Sequence, residues 1–153
     1  MIQRKQSLFL LVSTIVMSLL YFFPIAEFMV NTTNYYLDFI EIASVSNAKK
    51  AVVSPVYPVA ILLSIVVFLS FFAIFLFKNR DLQTRIITFS MLLKFGFLAL
   101  IVFYIYKFGN AFESKLYLQT SFVIPIIAGI FDFMAFKAIL KDIHIIKSYD
   151  RIR

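Results

Sequence analysis

Four runs of this sequence, Leu8–Phe28, Tyr57–Phe77, Ile86–Tyr106 and Leu118–Leu140, are each long and apolar enough to cross a bilayer as a helix. Such a helix needs about 20 mostly apolar residues to span a hydrocarbon core about 30 Å thick. The chain has 153 residues, of which 62% are hydrophobic and 15% charged. Soluble domains hold roughly 45–50% and 25%. One soluble core of this size cannot hide that surplus, so it has to face lipid. The expected fold is an all-α membrane protein with a single integral domain, a four-transmembrane-helix antiparallel bundle in which sequential helices are neighbours.

The first run resembles a signal peptide in placement. It is long for one, and no small-x-small cleavage site follows it, so it reads as a retained first span with Pro24 near its far end. Residues 29–56 form the one long polar connection. Within it, Tyr35–Ile42 alternates imperfectly, Asn47–Lys50 can turn, and Ala51–Val53 can return. A short β-hairpin is expected there, packed on the helix ends because an isolated hairpin is marginal in water. A disordered or partly helical loop is the other reading. Asn31-Thr32-Thr33 fits the N-glycosylation pattern, which carries meaning only in a eukaryotic secretory setting. Pro55 and Pro58 stand at the start of the second span, where proline costs a helix least. Lys107–Tyr117 joins the third and fourth spans, and residues 141–153 form a charged tail.

Orientation follows from Lys and Arg near the span ends. One side carries Arg4, Lys5, Lys78, Arg80, Arg85, Lys141, Lys147, Arg151 and Arg153, nine in all. The other carries four: Lys49, Lys50, Lys107 and Lys115. Both termini and the island Lys78–Arg85 are therefore expected in the cytoplasm. Arg4, Lys5, Lys78, Arg80, Arg85, Lys147, Arg151 and Arg153 would make a basic cytoplasmic face, with Lys78, Arg80 and Arg85 close to the Asp150–Arg153 segment. The same asymmetry accounts for the net charge of +7, so the lipid bilayer, and not nucleic acid, is the expected partner.

Two ionisable residues fall inside spans, Lys94 in the third and Asp132 in the fourth. Such residues are functional candidates by default. At 1.5 Å per residue, Lys94 lies about 12 Å and Asp132 roughly 8–13 Å from the same boundary, so the two can meet at one level. A pair would avoid two lone charges in lipid, each costing about 2.5–3.5 kcal/mol or more. It would act as a structural lock on helix register or as a proton or ion relay. A relay needs a polar path, and Ser64, Ser70, Thr88 and Ser90 supply a thin one. Gly96 and Gly129, with Ala99, Ala128 and Ala135, are candidate close-contact points between helices.

The tail repeats Ile139, Ile143, Ile146, Tyr149 and Ile152 every three or four residues, which reads as an amphipathic helix along the headgroups or a docking surface for a partner. His144 is the sole histidine, and the chain has no cysteine. Thiol chemistry is thereby excluded from the sequence in hand, and a lone His lacks the partners that a metal-ligand cluster needs. No phosphate-binding loop, dinucleotide fingerprint or nucleophile elbow occurs. No catalytic residue, cofactor or metal is expected.

Three segments, Met1–Gln6, Lys78–Arg85, and Lys141-Asp142 with Lys147–Arg153, resemble in order and spacing a domain-of-unknown-function family of short four-span inner-membrane proteins from Bacteroidota. The resemblance covers essentially the whole chain. It implies a bacterial cytoplasmic membrane and cytoplasmic termini, and it implies no activity. The expected function is that of a non-enzymatic accessory or scaffold subunit bound to another inner-membrane complex or to its own copies. The alternative is a small oligomeric transporter or ion channel using Lys94 and Asp132.

Overall fold

The computed structural model describes residues 3–30, 33–46, 49–112 and 115–150. The described residues fold into four α-helices and a five-stranded antiparallel sheet. In order these are α1 (Gln3–Ser18), β1 (Ala26–Val30), β2 (Thr33–Leu37), β3 (Glu41–Ser46), β4 (Lys49–Pro55), α2 (Tyr57–Phe75), α3 (Arg80–Phe112), β5 (Lys115–Leu118) and α4 (Ile124–Asp150). Three helical stretches, Tyr57–Phe75, Arg80–Asn110 and Thr120–Ile143, are long and apolar enough to cross a membrane, and Gln6–Tyr21 is a shorter apolar helix.

Each helix packs against the next, and α4 returns to α1. The packing is written in the sequence at a spacing of four and three. The buried positions are Gln6, Leu10, Ser13, Met17 and Leu20 on the first helix and its short extension. On α2 they are Val59, Leu63, Val66, Ser70 and Ala73. On α3 they are Gln83, Ile87, Ser90, Lys94, Phe97, Ile101 and Ile105, and on α4 Ala128, Asp132, Ala135, Ile139 and Asp142. This is the narrow two-in-seven seam of a coiled coil, not the wider stripe of a globular helix. In the most apolar 18-residue stretch of each long helix only 28% of the residues are buried inside the protein. The other faces expose Phe68, Phe71, Phe72, Phe75, Phe95 and Phe103 among many large apolar side chains. Water does not tolerate an apolar surface that continuous; hydrocarbon does.

The first helix, expected to span over Leu8–Phe28, is shorter than that apolar run. Helical structure ends in a 3-10 turn at Leu19–Tyr21, before Pro24. Residues 26–30 then run as the strand between β2 and β5. Two ladders of hydrogen bonds, on both edges of β1, outweigh continuation of the helix through a proline. The expected hairpin is correspondingly too small. Tyr35–Ile42, read as one strand, is two, because the chain turns at Asp38, whose N–H donates to Glu41 O at 2.9 Å. Asn47 and Ala48 lie outside the described residues, between β3 and β4. The strand order is β4-β3-β2-β1-β5. Ala26 pairs with both Leu37 and Leu118, and Phe28 with both Tyr35 and Leu116. The α3–α4 connection, read as a plain polar loop, thus closes the sheet from the far side. β4 carries one extra residue, Val53, where the register shifts between Ile42 and Ala43.

One face of the sheet is buried. Ala26, Phe28, Leu37 and Ile42 join Met17, Leu63, Val66, Phe97 and Ile101 in one apolar cluster. The sheet therefore caps the helices at the end opposite the α2–α3 turn. That turn is made by Leu76–Lys78 and Asn79.

Candidate functional site

Four helices converge on one polar node. Lys94 is 2% exposed and Asp132 is fully buried. The Lys94 ammonium donates to Asp132 Oδ2 at 2.5 Å, to Ser13 Oγ at 2.8 Å and to Ser70 Oγ at 3.2 Å. An ammonium has three protons, and the three acceptors come from α4, α1 and α2. The Ser13 hydroxyl in turn donates to Ala128 O at 3.0 Å. Ser70 and Ser90 lie 3.0 Å apart, and Ser90 donates to Asp132 Oδ2 at 3.4 Å. Lys94, Ser70, Ser90 and Asp132 thus close a ring of hydrogen bonds. Asp132 Oδ1 is the one buried side-chain polar atom without a hydrogen-bond partner among the described residues.

Apolar layers shut the node on both sides. Toward the turn lie Leu10, Ala73, Ile87, Ala135 and Ile139. Toward the sheet lie Met17, Val66, Phe97 and Ala128, part of the larger cluster. In such surroundings a hydrogen-bonded charge pair is strong, and a lone member is costly.

A second polar layer lies at the turn end. Gln6 donates to Asp142 Oδ2 and, at 3.3 Å, to Ala138 O. Arg80 reaches Asp142 Oδ2 at 3.8 Å, and Gln83 donates to Ala73 O at 2.9 Å. Asp142 is buried at the α1–α4 contact, where a carboxylate has to find partners. Of the expected basic face, Arg80 is part of this layer and Arg85 is exposed. The side chains of Arg4, Lys5, Lys78 and Lys147, and the whole of Arg151 and Arg153, lie outside the described residues. So does the expected proximity of the island to Asp150–Arg153, and so does the His144 side chain.

Some candidates are placed differently. Thr88 and Ser64 take no part in the node. Thr88 is exposed and donates to Thr84 O, and Ser64 donates to Ala60 O and accepts from Tyr21. A Cβ at Gly96 or Gly129 would meet nothing within 4 Å, so neither glycine marks a close helix contact; Ala128 and Ala135 are buried, and Ser13 on α1 reaches Ala128 O. Ser13, Gln6 and Gln83 were not singled out from the sequence. Their signal is their position on the four-and-three seam, where a polar residue has to find a partner. Among the described residues no cluster of three or more His, Cys, Asp or Glu could hold a metal ion.

No curated protein matches the chain. A family model described as Domain of unknown function (DUF4293) matches residues 2–152. With nearly the whole chain covered, this protein belongs to the DUF4293 family.

Proposed function

We propose that this is a non-enzymatic four-span protein of a bacterial inner membrane, of the Bacteroidota type, with both termini cytoplasmic. It serves as an accessory or scaffold subunit that binds another membrane complex or its own copies. The observation that carries the reading is the sealed node. The polar groups of the node, Asp132 Oδ1 apart, are spent on one another or on the helix backbone, between two apolar layers, while the outer faces stay apolar. Such an interior locks four helices in register and leaves the lipid-facing and end surfaces for contacts. The 16 residues of Gln6–Tyr21 reach about 24 Å, and α1 packs against both α2 and α4, which supports a fourth span in a locally thinned bilayer. Purification in mild detergent with identification of co-purifying proteins tests the role. A stable partner or a defined oligomer is expected; recovery only as a lone monomer would overturn it.

One observation favours the alternative, a small oligomeric transporter or channel. Asp132 Oδ1 retains unused acceptor capacity beside an ammonium and a chain of serine hydroxyls. Proton flux into liposomes, lost in Lys94→Ala and Asp132→Ala, would establish that reading. Absence of flux across pH and ion gradients would sink it.

A further inference from the structure

An apolar groove of about 380 Å³ opens on the outer face between α3 and α4. Met91, Phe95 and Leu98 form one wall, and Ile126, Gly129 and Phe133 the other. The Lys94 stem forms part of the floor, and its ammonium is turned inward to Asp132. Gly129 opens the groove, since a Cβ there would meet nothing within 4 Å.

The same stripe of α4 continues toward the turn end as Lys137 and Lys141, four and eight residues beyond Phe133. Both are exposed. The Lys137 ammonium stands over the Phe133 ring, 4.6 Å from its centroid, which holds one cation at the mouth of the groove. From Pro125 to Phe133 the helix rises about 12 Å, and to Lys137 about 18 Å. One leaflet of a hydrocarbon core about 30 Å thick is about 15 Å deep. The groove thus has the length of a single leaflet, with two cations where that leaflet's headgroups lie.

We propose that this groove is a binding site for one anionic phospholipid, with an acyl chain along Gly129 and the phosphate between Lys137 and Lys141. The inference needs the long helices to lie in a bilayer but not the scaffold role, so a failed search for protein partners leaves it standing. Phosphatidylglycerol and phosphatidylcholine are offered to the purified protein in equal amounts in mixed micelles, and retained lipid is counted by native mass spectrometry. The wild type is expected to retain phosphatidylglycerol in preference. Lys137→Gln and Lys141→Gln should each lower that retention about fivefold, and Lys107→Gln, near the sheet end, should leave it unchanged. Gly129→Leu, and to a smaller degree Gly129→Ala, should reduce retention of both lipids by filling the groove. Equal retention of the two lipids by the wild type would overturn the proposal. So would a loss in Lys107→Gln as large as in Lys137→Gln, or full retention in Gly129→Leu. A dimer abolished by Gly129→Leu with lipid retention intact would assign the groove to a second copy of the chain instead.

Discussion

Lys94 and Asp132 are held by partners from all four helices, and the energetics of that arrangement are asymmetric. Removing one member leaves the other buried and uncompensated, at a cost of about 3–5 kcal/mol. Removing both takes away the charges together. Lys94→Ala and Asp132→Ala are therefore each expected to destabilise the protein strongly in detergent. The double variant should cost less than the sum, with a coupling of about 1–3 kcal/mol. Unfolding measured by circular dichroism on all four proteins gives the cycle; strict additivity would mean that the pair has no energetic existence. Ser13→Ala tests the next link. It removes one of the three acceptors of the Lys94 ammonium and frees Ala128 O, and should cost about 1.5–3 kcal/mol.

The helices and the sheet divide the work of stabilisation. The helices meet along a seam two residues in seven wide, so substitutions on the lipid-facing side leave the packing untouched. Gly96 is exposed on α3 with open space at its Cβ. Gly96→Ala should leave the fold intact and raise thermal stability by up to about 1 kcal/mol, through the helix propensity of alanine alone. The sheet is less forgiving. Phe28 is 1% exposed, pairs with strands on both sides, and joins the apolar cluster under the sheet. Phe28→Ala should cost about 3–5 kcal/mol, read from the same thermal melts. A cost below 1 kcal/mol would mean that the sheet is not packed on the helices.

At the scale of the molecule, polar and apolar layers alternate from the turn end to the sheet end. The Gln6–Asp142–Arg80 layer comes first, then an apolar layer, the Lys94 node, the large apolar cluster and the capping sheet. Topology can be tested directly because the chain has no cysteine. Single Arg85→Cys and Lys107→Cys variants place one thiol at each end of α3. With the proposed orientation, a membrane-impermeant maleimide applied to intact spheroplasts should label Lys107→Cys and spare Arg85→Cys until the cells are opened. The reverse pattern would invert the whole arrangement.

Much of this architecture was legible in residue order. Apolar runs of span length, broken by charges, are local properties that hydrocarbon solvation enforces whatever the rest of the chain does. That Lys94 and Asp132 can reach each other was also legible from helix rise and from the adjacency of α3 and α4. The sheet did not follow. β1 lies in an apolar run that reads as helix, and it becomes a strand only because β2 and β5, from two separate connections, supply partners for both its edges. Of the node's serines, Ser70 and Ser90 already stood in the sequence as a thin polar path, but Ser13 did not. Only the closing of α4 onto α1 brings Ser13 to the ammonium. Solvation by lipid, which acts on each run separately, was decided by the sequence; hydrogen-bond partnership between distant segments was decided by the tertiary structure.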